Sequence, residues 1–182
     1  MSGARPPDPE DVDPEEFADL PSTDVEVRTH VHFGMTGSFP LKLAELFFAD
    51  DGLYVAEYAY ITPMFGLGMR KHQREARGMA AIYRIHGLDE VLLQADGVVW
   101  HSYENLRQVL LYEGGILGRP KIAVHPENGR VQAYRLHDED VAFDDLVADL
   151  EACGERAGFA VERRAGVGYS PRASLRRFFR LS

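Results

Sequence analysis

A chain of 182 residues, 45% apolar and 10% aromatic, is long enough for one domain with a real core and flanking tails. Its single cysteine excludes a disulfide framework, and no apolar run approaches the roughly 18 residues of a membrane span. The net charge of −9 is unevenly spread: residues 1–26 carry −8, residues 163–182 carry +6, and the body between them carries −7.

Residues 1–24 are rich in Pro, Asp and Glu, with little apolar surface to offset ordering entropy, so a disordered acidic arm is expected. The stretch Met1 to Pro7 has no apolar signal-peptide core, which fits a cytoplasmic protein. Val25, Val27, Thr29, Val31 and Phe33 alternate with Glu26, Arg28, His30 and His32, the period of a half-buried strand. Leu41 to Phe48 and Leu53 to Ile61 flank Ala49-Asp50-Asp51-Gly52, and an Asp-Gly pair between two apolar runs marks a hairpin. Pro63 to Met69 is an apolar loop containing Gly66 and Gly68. From Arg70 to about Arg84 the spacing predicts a helix with Met69, Gln73, Ala76, Ala80 and Tyr83 on one side. Arg70, Lys71, Arg74 and Arg77 form its basic face, and Gly78 weakens it by about 1 kcal/mol relative to Ala.

Leu88 to Leu93 is a short apolar piece with no clear period. Val98 to Tyr112 reads as one long strand or as two interrupted at Glu104-Asn105. Lys121 to His125 and Arg130 to Leu136 form a hairpin across Asn128-Gly129. Asp140 to Ala157 places Phe143, Leu146, Val147, Leu150 and Cys153 on one helical face, with Asp138 or Asp140 to cap it and Gly158 at the left-handed end. Ser170-Pro171 can open a last helix, in which Arg172, Arg176 and Arg180 recur every four residues opposite Leu175, Phe178 and Phe179.

The segment Ala44 to Val55, with its Asp-Asp-Gly turn, and the phrase Trp100 to Val109 resemble the first hairpin and a middle strand of the pleckstrin-homology-like superfold. The 121–136 hairpin and the 140–158 helix follow in that family's order, as in bacterial PH and GRAM-type domains. The resemblance implies an α+β fold: a curved antiparallel sheet, a partly open barrel, closed by a C-terminal helix. With the acidic arm over 1–24 and the basic tail over 163–182 set apart by composition, the resembling domain spans 25–162; relative to that family the helix at about 69–84 is an insertion and Val25–Phe33 an extra or reassigned strand.

Function is less marked. His30 and His32 point the same way from a strand, a spacing that can serve a metal, but zinc needs three or four converging ligands. Solvent-facing histidines on a half-exposed sheet are the expected reading, and no metal or cofactor is assigned. Gly66-Leu67-Gly68 lacks the further residues of a dinucleotide or phosphate loop. Asp144-Asp145 suit a helix start, Cys153 suits a core thiol, and no catalytic residue is assigned. The expectation is a non-enzymatic binding module that touches an anionic membrane surface or a protein partner. Its contacts would be Phe65, Leu67, Met69, Arg70, Lys71, Arg74 and Arg77, with Arg172, Arg176, Arg177, Phe178, Phe179 and Arg180 of the tail. The alternative is a small-molecule binding protein or enzyme whose pocket in the sheet is lined by Tyr54, Tyr58, Tyr83, Trp100, Tyr103 and histidines. A body at −7 argues against nucleic acid. Exposed strand edges would allow homo-oligomers.

Overall fold

The strand periods of the sequence become a single eight-stranded sheet in a computed structural model, which describes residues 25–37, 41–61, 68–115, 118–137 and 142–167, with backbone alone at 61 and 68–70. In chain order the elements are β1 (Val27–Thr36), β2 (Leu41–Ala49), β3 (Leu53–Ile61), α1 (Gly68–His86), α2 (Leu88–Gln94), β4 (Gly97–His101), β5 (Leu106–Tyr112), β6 (Lys121–Pro126), β7 (Gln132–Leu136), α3 (Phe143–Ala157) and β8 (Ala160–Arg164). The strand order is β4-β3-β2-β1-β7-β6-β5-β8, so the sheet is open, with β4 and β8 at its edges. All pairings are antiparallel except β5 with β8.

Local chemistry explains the hairpins. The turn at Asp50-Asp51-Gly52 joins β2 to β3, and Ala49 N–H donates to the Gly52 carbonyl at 2.9 Å. A Cβ on Gly52 would stand 2.6 Å from the His101 carbonyl oxygen, so glycine is required there for the turn to lie against the end of β4. Val98 to Tyr112 is two strands, β4 and β5, separated by a 3-10 turn at Tyr103–Asn105, close to the break expected at Glu104-Asn105.

The sheet carries a core on each face. On one face α3 buries Leu146, Val147, Leu150 and Cys153 against Val31, Leu46, Phe48, Leu53, Leu111, Ile122 and Tyr134. On the other, α1 and α2 bring Ala76, Met79, Leu88 and Val91 onto Phe33, Leu43, Phe47, Ala56 and Tyr58. Because β2 lies between both layers, Leu43 to Ala49 is buried without alternation. Each fully buried Leu or Phe there contributes about 1.5–3 kcal/mol.

Two local expectations change, and a third lies outside the described residues. Leu88 to Gln94 is a helix, with Leu88 and Val91 buried and Gly87 (φ 85°) breaking it from α1. The buried side of α1 is His72, Ala76 and Met79, while Gln73 and Ala80 are half-exposed, so the apolar stripe is rotated by about one residue from the expected one. Position Ala142 at the start of α3 makes no side-chain cap, and Asp138 and Asp140 lie outside the described residues. At its other end α3 stops as expected, with Gly158 at φ 86° in the left-handed region. The strand β8 that follows, parallel to β5, has no counterpart among the expected elements.

Candidate functional sites: a buried histidine–carboxylate cluster and an open sheet edge

A bulge in β1 builds the first site. Between Val31, opposite Leu46, and Gly34, opposite Ala44, β1 has one extra residue, so both His32 and Phe33 face Glu45. Phe33 takes up the extra residue with φ 54°, a conformation costly for a side chain with a Cβ. The bulge shifts the alternation, so that His30, His32, Phe33 and Met35 all serve the face covered by α1.

Glu45 is fully buried, at 0% exposure. Its Oε2 lies 2.8 Å from His30 Nε2 and 2.9 Å from His32 Nδ1. Its Oε1 accepts the Tyr58 hydroxyl at 2.5 Å and the Phe33 amide at 3.4 Å. Burial pushes the Glu45 carboxyl up, but the hydrogen bonds and charge of His30 and His32 more than reverse this and hold it below the usual carboxylate range. Burial, reinforced by the same carboxylate, drives the Tyr58 phenol far above its ordinary value, so Tyr58 stays a donor. The His30 ring stacks on Phe47 at 4.4 Å and meets Tyr83 of α1 edge-on at 4.7 Å, which fixes its orientation. The imidazoles keep some contact with solvent, at 19% exposure for the His30 side chain and 21% for His32.

This corrects the expectation of solvent-facing histidines. His30 and His32 converge on a buried acid, and Glu45 is the residue the sequence did not single out. Its signal was a lone acid inside the apolar run Leu43 to Ala49, where an unpaired carboxylate is not tolerated. Of the aromatic residues expected to line one pocket, Tyr58 and Tyr83 stand at this cluster. Trp100 lies on the sheet edge, and Tyr103 packs on Phe159 on the opposite face at 5.2 Å. They do not share a cavity. A shallow cleft of about 270 Å³ on the α3 face is lined by Arg28, Asp50, Tyr103, Cys153 and Arg156.

The second site is β4. Val98 and Trp100 sit on one side of this edge strand, opposite Ala56 and Tyr54 of β3, and are 44% and 52% exposed. No residue of β4 is an acid, lysine or arginine. The other edge, β8, carries Glu162, Arg163 and Arg164, with Arg163 paired to Glu113 and Asp144 and Arg164 to Glu162. Charged side chains on an edge discourage a further strand, and β4 has none of that protection.

The contact residues expected from the sequence are only partly placed. Lys71, Arg74 and Arg77 are exposed along α1; Lys71 pairs with Glu75 at 3.5 Å, and Arg74 and Arg77 have no ion pair among the described residues. Met69 and Arg70 start α1, with their side chains outside the description, and Phe65, Leu67, Arg172, Arg176, Arg177, Phe178, Phe179 and Arg180 lie outside the described residues. No helix among the described residues is long and apolar enough to cross a membrane.

Comparison with known proteins adds little. No family model matches the chain, and no curated protein does. Among solved structures, the hSac2 domain from human phosphoinositide phosphatase Sac2 aligns with a TM-score of 0.47 at 13% identity, covering 86% of this chain and 87% of that one.

Proposed function

We propose that this chain is a binding module, of the pleckstrin-homology-like kind its hairpins and late helix resemble, which takes up an extended segment of a protein partner along β4. The observation that carries this reading is the contrast between the two edges: β8 is charged, and β4 is neutral with Val98 and Trp100 exposed. An added strand gains main-chain hydrogen bonds along an edge, and alternate side chains supply specificity. An exposed tryptophan is a frequent centre of binding energy. The preferred partner segment has apolar side chains at alternate positions to meet Val98 and Trp100. Arg74 and Arg77 of α1, exposed and without ion pairs among the described residues, would attract acidic groups elsewhere on the same partner.

The test is selection of displayed short random peptides on the full-length chain, followed by titration of the winners against it. Trp100 is the one tryptophan, so its emission reports this edge directly. The expected result is enrichment of alternating apolar sequences that shift Trp100 emission and lose at least about tenfold in affinity with Val98→Lys. Peptides that bind equally well to Val98→Lys would overturn the reading. Binding to anionic vesicles that Val98→Lys leaves intact, with no peptide enriched, would favour a membrane surface as the target.

A further inference from the structure

The histidine–carboxylate cluster under α1 plays no part in strand addition at β4, yet it is the most organised group of polar side chains among the described residues. We propose that His30 Nε2, His32 Nδ1 and Glu45 Oε2 form a binding site for a divalent transition-metal ion of the zinc type. Their ligand atoms lie within 4.8 Å of one another, on two neighbouring strands of the sheet.

The chemistry fits in three respects, and binding carries one cost. Two imidazoles and one carboxylate make a donor set that zinc accepts, with a fourth position left for water or a ligand. The Oε2 to nitrogen distances of 2.8 and 2.9 Å are those of hydrogen-bonded contacts. Zinc bonds of about 2.0–2.2 Å separate tetrahedral ligand atoms by about 3.4 Å, so the cluster has to open by about half an ångström and shed the shared protons. The support around the ligands is in place: Tyr58 and the Phe33 amide hold Oε1, which His32 Nδ1 also reaches at 3.0 Å, and Oε2 is the oxygen that both imidazoles approach. Phe47 and Tyr83 hold the His30 ring. Such outer partners orient ligands and typically change metal affinity by about 10–100-fold. Access exists as well, because both imidazoles are about one-fifth exposed while the carboxylate is sealed, so an ion enters from the histidine side.

A carboxylate with four donors is also a self-sufficient structural cluster, and the experiment separates the two readings. The full-length chain, stripped with a chelator, is titrated with Zn²⁺ in competition with a chromophoric chelator, and with Co²⁺ followed by visible absorption. The proposal expects one ion per chain, Co²⁺ bands of a low-coordinate N/O site that Zn²⁺ abolishes, and a higher melting temperature with Zn²⁺. Tyr58→Phe should weaken Zn²⁺ by about 10–100-fold and Glu45→Gln by more. Should Glu45→Gln not fold, His30→Asn and His32→Asn, at half-buried positions, serve in its place. Absence of one-to-one binding by the unaltered chain overturns the proposal. Binding that survives the ligand substitutions undiminished also overturns it, because other histidines then hold the ion.

Discussion

His137 illustrates how burial sets the behaviour of a single residue. Its Nδ1 is buried without a hydrogen-bond partner among the described residues, and its ring lies 5.6 Å from Phe33. Burial, with Arg119 and Arg135 nearby, pushes the imidazole down to about 4. The folded value lies below that of the unfolded chain, about 6.5, so the unfolded chain binds a proton that the folded one refuses. Its contribution to stability is complete above about pH 6.5 and is lost as the pH falls towards 4. Partial exposure reduces the effect to about 1–2 kcal/mol. Denaturant unfolding of wild type and His137→Phe across that window should show a shallower fall for the variant. Parallel curves would contradict this account of His137. Glu45 and its partners were half legible: the alternation in β1 placed two histidines on one side. The extra residue at Phe33, which turns them onto a fully buried acid of the neighbouring strand, has no local sequence signature.

At the scale of elements, the sequence is most informative where one face is apolar and one is wet. The face of α3 from Phe143 to Cys153, the hairpins at Asp51-Gly52 and Asn128-Gly129, and the break between β4 and β5 could all be read from period and turn chemistry. Failures cluster where tertiary packing decides. Leu88 to Gln94 is too short for a helical period to stand out, and it is helical because Leu88 and Val91 complete the cover over β3. Strand β8, Ala-Val-Glu-Arg-Arg, is exposed over most of its length and owes its shape to pairing with β5. The expected apolar stripe of α1 missed His72, a polar residue buried beside Glu75, which it approaches at 3.3 Å. Helix α1 also offers a direct test of its glycine. A Cβ on Gly78 would meet nothing within 4 Å, so Gly78→Ala gains helix propensity at no steric cost. Thermal or denaturant unfolding should show a stabilisation of about 0.5–1 kcal/mol; a loss of stability would mean that α1 does not continue through this position in solution.

The whole molecule is a sheet covered asymmetrically. Its centre is buried from both sides, by α3 on one face and by α1 with α2 on the other, and its two edges differ in chemistry. The order of hairpins and the late helix could be read from the sequence. Which strands form the two edges could not, because that depends on β8 taking the place beside β5 and leaving β4 at the far end. The direct measurement is hydrogen–deuterium exchange of the full-length chain, alone and saturated with a selected peptide. Strand addition at β4 predicts slowed exchange over 97–101, with exchange over 160–164 unchanged. Protection confined to β8 or to α1, or none on a chain shown to be saturated, would contradict it.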